Sequence, residues 1–395
     1  MLQQKYLLRF LSLLALIVFA SACTASPTPS LLAPTQAAAE PQPTQVTEPT
    51  AEATAKPPAA TAAPAPKGFV LFDKEKGEFQ AYDTEGGLLF TSLAPNPDYP
   101  SGFTTSIVDG AIYYMVGRNL SEGREPKLLR SSPAGLEEVT SIPVDTLAAL
   151  SVSPDERWAA WSTLGPENGV SELWITDLQT SEARMIASYS HEQSGAFFLR
   201  PFAWTEDGRL LFERALTGLG GYILFGGHNS LYVYSPAEGS IETIVPAEEM
   251  HGLCLDSYHP ALETVVFNCR QQSQEITIRD LSDQSETTIP ALPAQGVAGT
   301  AHYAPSGKWL AYAVAARNPD NESGQLVIVP ADLSTPPQVI AEVKENSFLA
   351  VQGWLDEDTL IFNRNQWPQS TTWTVKRDGT SLKQLATGMW VGWLP

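Results

Sequence analysis

The sequence is short of the residues that carry most enzyme and nucleic-acid chemistry. It has 3 cysteines and 5 histidines in 395 residues, and 24 Lys and Arg face 44 Asp and Glu, a formal net charge of -20. Nucleic acid and anionic lipid headgroups are held by clustered positive charge, so this balance argues against both as ligands. It leaves a solvated acidic surface, one compatible with cationic partners. No G-x-S-x-G turn is present to raise a nucleophilic serine, no Gly-rich phosphate loop follows a strand, and no H-E-x-x-H pair occurs. Neither a cofactor nor a metal site is expected. Long apolar runs are missing too: the longest, Leu11 to Ala20, is too short to span a bilayer comfortably.

That one run belongs to an address. Lys5 and Arg9 precede it and Ala20-Ser21-Ala22-Cys23 follows it, so residues 1–22 read as a signal peptide. The last four residues resemble the lipobox of bacterial lipoproteins, which implies lipidation at Cys23 and anchoring outside the cytoplasm on a membrane. Members of that class usually carry Leu where this chain has Ala20, and Ala20-Ser21-Ala22 also fits ordinary signal-peptidase cleavage. Secretion without an anchor stays open as the alternative. From Cys23 to Pro66 the chain holds no aromatic residue and is built largely of Pro, Thr, Ala, Ser, Gln and Glu. It lacks the apolar surface for a core and reads as a disordered tether biased toward polyproline II.

What the remainder has in quantity is repetition. LSVSPDERWAAW (150–161), FAWTEDGRLLF (202–212), HYAPSGKWLAY (302–312) and QGWLDEDTLIF (352–362) each place a turn between two apolar runs, and DSYHPALETVVF (256–267) is a weaker copy. Each predicts a β-hairpin, because Pro-Asp and Asp-Gly supply turn geometry and the flanking aromatic and β-branched residues suit half-buried strands. A second strand pair follows most of them, as in ELWITDLQTSEARMIA (172–187) and QLVIVPADLSTPPQVI (325–340). Four antiparallel strands per unit predict propeller blades.

These motifs, SPDE with LWITDL, TEDG with LYVYSP, APSG with LVIVPADL and DEDT with WTVKRDG, resemble the TolB-like propellers over most of residues 68–395. Residues 67–395 are therefore expected to be one all-β propeller domain. Counting a weakly marked unit over 103–142 gives seven blades, with six as the alternative and the commoner number in that family. The terminal MWVGWLP matches a first strand, whereas GFVLFDKEKGEFQAYDTEGGLLFTSL (68–93) supplies three strands and lacks one. The C-terminal strand is thus expected to complete the first blade and close the ring. The resemblance also brings to mind propellers that precede a serine hydrolase, but the missing elbow excludes that enzyme from this sequence.

Cys254 and Cys269 lie on the two arms of one hairpin, and an oxidising exported setting predicts a disulfide between them. The carboxylates Asp356, Glu357 and Asp358 fall at a hairpin turn and read as a solvated turn rather than a site. Connectors between second and third strands are enlarged, at 116–127, 163–171, 214–229, 315–324 and 363–371, and such connectors share one face of a propeller. Arg118, Arg214, Tyr222, Phe225, His228, Arg317, Arg364 and Trp367 lie there and are of types enriched at binding hot spots. The expectation is a monomeric, non-catalytic cell-envelope module that binds a protein, peptide or glycan through that face. Two alternatives remain: an enzyme using the central funnel, with His251 and His302 as the residues to inspect, and a structural scaffold.

Overall fold

The structure, a computed structural model, describes residues 66–94, 104–116, 126–141, 147–164, 169–190, 197–216, 228–246, 255–268, 275–289, 296–316, 323–344, 347–366 and 369–395. They form 28 strands arranged as seven antiparallel blades of four. Blade 1 combines β1 (Gly68–Asp73), β2 (Glu78–Asp83) and β3 (Leu88–Leu93) with β28 (Met389–Leu394) as its inner strand. Blades 2 to 7 follow in chain order: β4–β7 over 105–141, β8–β11 over 147–190, β12–β15 over 197–245, β16–β19 over 255–289, β20–β23 over 296–343 and β24–β27 over 348–387. Blades 4 and 5 are also bridged at one position, His228 opposite Leu255.

The ring is a seven-bladed β-propeller closed as the sequence implies. Gly68, Phe69 and Val70 lie opposite Leu394, Trp393 and Gly392, and Lys67 N donates to Leu394 O at 2.9 Å. Gly68 is required: a Cβ there would sit 1.9 Å from the Tyr82 carbonyl oxygen. The six-blade alternative is excluded, because the weakly marked unit is a complete blade.

Blades hold together through seven apolar seams, one between each neighbouring pair. Strand alternation sends successive side chains to opposite faces, so each second strand feeds both of its seams. One position on that strand carries the wedge against the preceding blade. It is Tyr114, Trp161, Phe212, Phe267, Tyr312 and Phe362 in blades 2 to 7, all buried, and Leu71 in blade 1. Large aromatic rings at this point each contribute about 2–3 kcal/mol of burial. The seam beside β28 adds Trp390 and Trp393, edge to face at 5.3 Å.

Inner strands add polar clasps across the seams. Bulges in β8 (Leu147–Val152), β12 (Phe197–Trp204), β16 (Leu255–His259), β20 (Gly296–Tyr303), β24 (Phe348–Trp354) and β28 break the regular ladder. Backbone groups of neighbouring inner strands are then met by side chains: Val152 N donates to Ser106 Oγ at 2.9 Å and Val351 N to Thr300 Oγ1 at 3.1 Å. Trp354 and Trp393 donate their indole N–H groups to the carbonyls of His302 and Gln352 in the preceding blades.

Candidate functional site

Antiparallel order assigns the connectors to two faces. On one face run the first-to-second and third-to-fourth turns, and they are short. Aspartates cap them: Asp177 accepts the N–H groups of Gln179 and Thr180, and Asp356 those of Asp358 and Thr359. Asp356, Glu357 and Asp358 therefore form a turn, as their position in the repeat implies. The turn position held by Gly208 and Gly307 has a left-handed backbone, and Glu156 occupies it at φ 54° in blade 3.

The strand ends leading to the other face bound long connectors in blades 2 and 4, at 117–126 and 217–227, whereas those of blades 3, 5 and 6, at 165–169, 269–275 and 317–323, are no longer than the turn at 331–337 on the first face. One expectation is corrected. The connector read as enlarged over 363–371 is a tight hairpin, because β25 (Thr359–Gln366) and β26 (Gln369–Lys376) stay paired to Gln366 opposite Gln369. Ser370 Oγ donating to Asn365 Oδ1 at 2.7 Å adds to that pairing.

Of the eight candidates for this face, Arg118, Tyr222, Phe225, Arg317 and Trp367 lie outside the described residues. His228 opens β14 (His228–Ser235), with its side chain likewise outside. Arg214 and Arg364 are described, and the repeat relates them: each follows its blade's Phe wedge by two residues on the second strand. Arg214 stacks on Tyr189 at 4.2 Å and donates to its hydroxyl at 3.3 Å, so the preceding blade holds it. Cys23 also lies outside the described residues. So do Cys254 and Cys269, each immediately beyond an end of the paired strands β16 (Leu255–His259) and β17 (Thr264–Asn268).

Two hollows open on the short-turn face. One of about 690 Å³ touches inner strands of blades 1 to 4, through Gly392, Ser106, Ser151 and Trp204, which places it at the propeller axis. The other, about 750 Å³, is a groove between blades 3 and 4 where Trp158 lies among Arg157, Arg184 and Arg209. Arg184 spans the groove and donates to the Pro236 carbonyl at 3.0 Å.

A polar cluster that sequence reasoning missed is built into the wall across blades 4, 5 and 6. Arg200 on β12 (Phe197–Trp204) and Glu213 on β13 (Leu210–Leu216) form a buried ion pair. Asp256, at the bulge of β16, accepts the N–H groups of Thr300 at 3.0 Å and Ala301 at 2.6 Å, and Asn268 Nδ2 at 3.2 Å. Burial pushes the Asp256 carboxyl up to about 6 against the opposing pull of those amides. Burial also raises Glu213; Arg200 opposes that rise, and the Asp256 charge adds to it. Near this wall His302 is pushed down to about 4 by desolvation, with His259 adding to the effect. His251 lies outside the described residues. Among the described residues no group of three or more His, Cys, Asp or Glu side chains has a metal-ligand arrangement.

No family model matches the chain, and no curated protein does. Solved structures do match in outline. TolB from Acinetobacter baumannii is 16% identical, with 83% of this chain and 82% of that one covered, at a TM-score of 0.42. An oligogalacturonate lyase in complex with manganese is 11% identical, with 82% and 84% covered, at 0.48. A puromycin hydrolase is 13% identical, with 74% of this chain and 48% of that one covered, at 0.43. At these identities and scores the fold rests on the chain's own strand order, which is that of a seven-bladed β-propeller.

Proposed function

We propose that the chain is a cell-envelope lipoprotein, anchored through Cys23, whose propeller acts as a non-catalytic binding module for a protein, peptide or glycan. The observation that carries this reading is the inequality of the two faces: capped turns on one, and strand ends opening into the long connectors of blades 2 and 4 on the other. Rigid scaffolds that concentrate long connectors at one end commonly bind there. Arg214 and Arg364 stand at the foot of that face, and the acidic balance of the chain favours a partner that is not itself acidic.

The competing reading, an enzyme working from the axis, calls for acid–base side chains open to a substrate. Asp256 and Glu213 do converge, but the first is engaged by backbone amides and the second by Arg200. Replacing Gly218–Gly227 by a short Gly/Ser link in the full-length, membrane-held chain tests the binding reading. Cross-linked partner recovered from the envelope falls at least about tenfold if the connector takes part, about 1.4 kcal/mol; unchanged recovery rejects that connector's role. Anchoring is tested separately. Cys23→Ser releases the chain into the medium, and full retention on the membrane rejects lipidation.

A further inference from the structure

Among the described residues each blade ends in an outer strand whose far edge has no ladder partner, and such edges invite pairing with another chain unless charge guards them. Six outer strands carry that guard. They are β7 (Gly135–Ser141) with Glu137 and Glu138, β11 (Ala183–Ser190) with Arg184, β15 (Ser240–Val245) with Glu242, β19 (Glu286–Ile289) with Glu286, β23 (Gln338–Val343) with Glu342 and β27 (Lys383–Thr387) with Lys383. The seventh, β3, reads LLFTSL and has no charged residue. It exposes Leu88 at 56%, Leu89 at 52% and Leu93 at 69%, and Leu93 has the highest exposure among the large apolar residues described. A bulge does not distinguish β3, because most of the other outer strands have one as well.

We propose that β3 is an interface at which two copies of this chain join edge to edge. The occupant follows from three observations. A two-fold axis through Thr91 sets Leu89 of one copy opposite Leu93 of the other, twice, and Phe90 opposite Ser92, so apolar residues meet and no like charges face each other across the strands. The chain's own 23–66 segment is a poor substitute, because its recurrent prolines lack the N–H that a ladder requires. A second copy also brings the matching uncharged edge, whereas every other outer edge described in this acidic chain is charged. Ser131 Oγ of blade 2 donates to the Leu93 carbonyl at 3.1 Å, which leaves that oxygen one lone pair for a partner strand centred on Thr91. The interface is separate from the loop-rich face and does not depend on the binding role proposed above. It departs from the monomer expected from the sequence.

Thr91 is exposed and would meet itself across the axis, at a separation a disulfide spans. The test is therefore Thr91→Cys in the full-length chain, run on a non-reducing gel beside the unsubstituted chain and Glu242→Cys on β15. Thr91→Cys yields a covalent dimer at least about tenfold above both controls, and adding Leu93→Lys or Leu89→Lys lowers the yield about tenfold, or about 1.4 kcal/mol. Both leucines are exposed, so either variant can be checked for a retained fold by circular dichroism. Dimer no more abundant than with Glu242→Cys, or dimer insensitive to both lysines, overturns the proposal.

Discussion

The seam between blades 2 and 3 and the wall across blades 4 to 6 meet the same demand by different means. The first is apolar, with Trp161 at its centre among Val108, Met115, Leu128 and Leu150. The indole stacks on Trp174 at 5.5 Å, and its one polar atom donates to Thr176 Oγ1 at 2.9 Å. The second adds Arg200, Glu213, Asp256 and Asn268 to the apolar seams that blades 4, 5 and 6 share. Apolar packing is strong and indifferent to pH. The polar wall fixes which backbone groups meet, and its strength depends on protons.

Four substitutions or titrations sharpen this contrast. The largest effect is expected from Trp161→Ala, which empties a fully buried site and costs about 4 kcal/mol, read as a lower denaturant midpoint. Of these two regions acid acts on the polar wall, where Asp256 and His302 respond with opposite sign and Glu213, raised by burial, responds in the same sense as Asp256. Asp256 moves from an ordinary 3.8 to about 6 in the fold, so the native state binds the extra proton and stability rises as pH falls from 7 toward 4, by up to about 3 kcal/mol. His302 moves from 6.5 to about 4, so the unfolded state takes the proton first and stability falls by about 3 kcal/mol over a similar interval. The two contributions nearly cancel in the native sequence. Asp256→Asn should therefore lose stability on acidification and His302→Gln should gain it, each followed by urea unfolding between about pH 7 and pH 4.5. If both variants track the native curve, the polar wall is not the pH-sensitive region.

Smaller again is Asp256→Ala at neutral pH. It strands two amides, leaves Asn268 Nδ2 with only the Ala298 carbonyl as acceptor, and also removes a buried charge near Glu213, for a net cost of about 2 kcal/mol by equilibrium unfolding. Gly307→Ala should cost the least, about 1 kcal/mol. Its backbone sits at φ 71° and a Cβ would press 2.6 Å from Leu262 Cδ1, the movable end of a side chain on blade 5's turn.

The blades were legible because their signals are local. Turn residues and alternation mark FAWTEDGRLLF and HYAPSGKWLAY within a dozen positions, and the strand missing from 68–93 could be matched to MWVGWLP by counting. The polar wall was not legible. Asp256 looks like one more acid in a weakened copy of the repeat, and its role arises only when a bulge turns it toward amides some forty residues onward. Trp367-Pro368 misled in the other direction: a loop-like pair sits in a hairpin whose strands pair right up to it. The bare edge of β3 is visible in composition, yet it acquires meaning only once β3 is known to be outermost and its six counterparts are seen to be charged.

The pairing of β28 with β1 also governs time. A chain made from its N-terminus presents Gly68–Asp73 well before Met389–Leu394, so the first blade waits for its inner strand while the six other blades are made. Closure between such distant segments is slow, because the entropy of joining them must be overcome before their contacts return anything. Until then blade 1 offers an inner edge as open as its outer one. Blade 1 therefore completes its four strands only after the other blades have been made, and its open inner edge lasts for the whole of that interval.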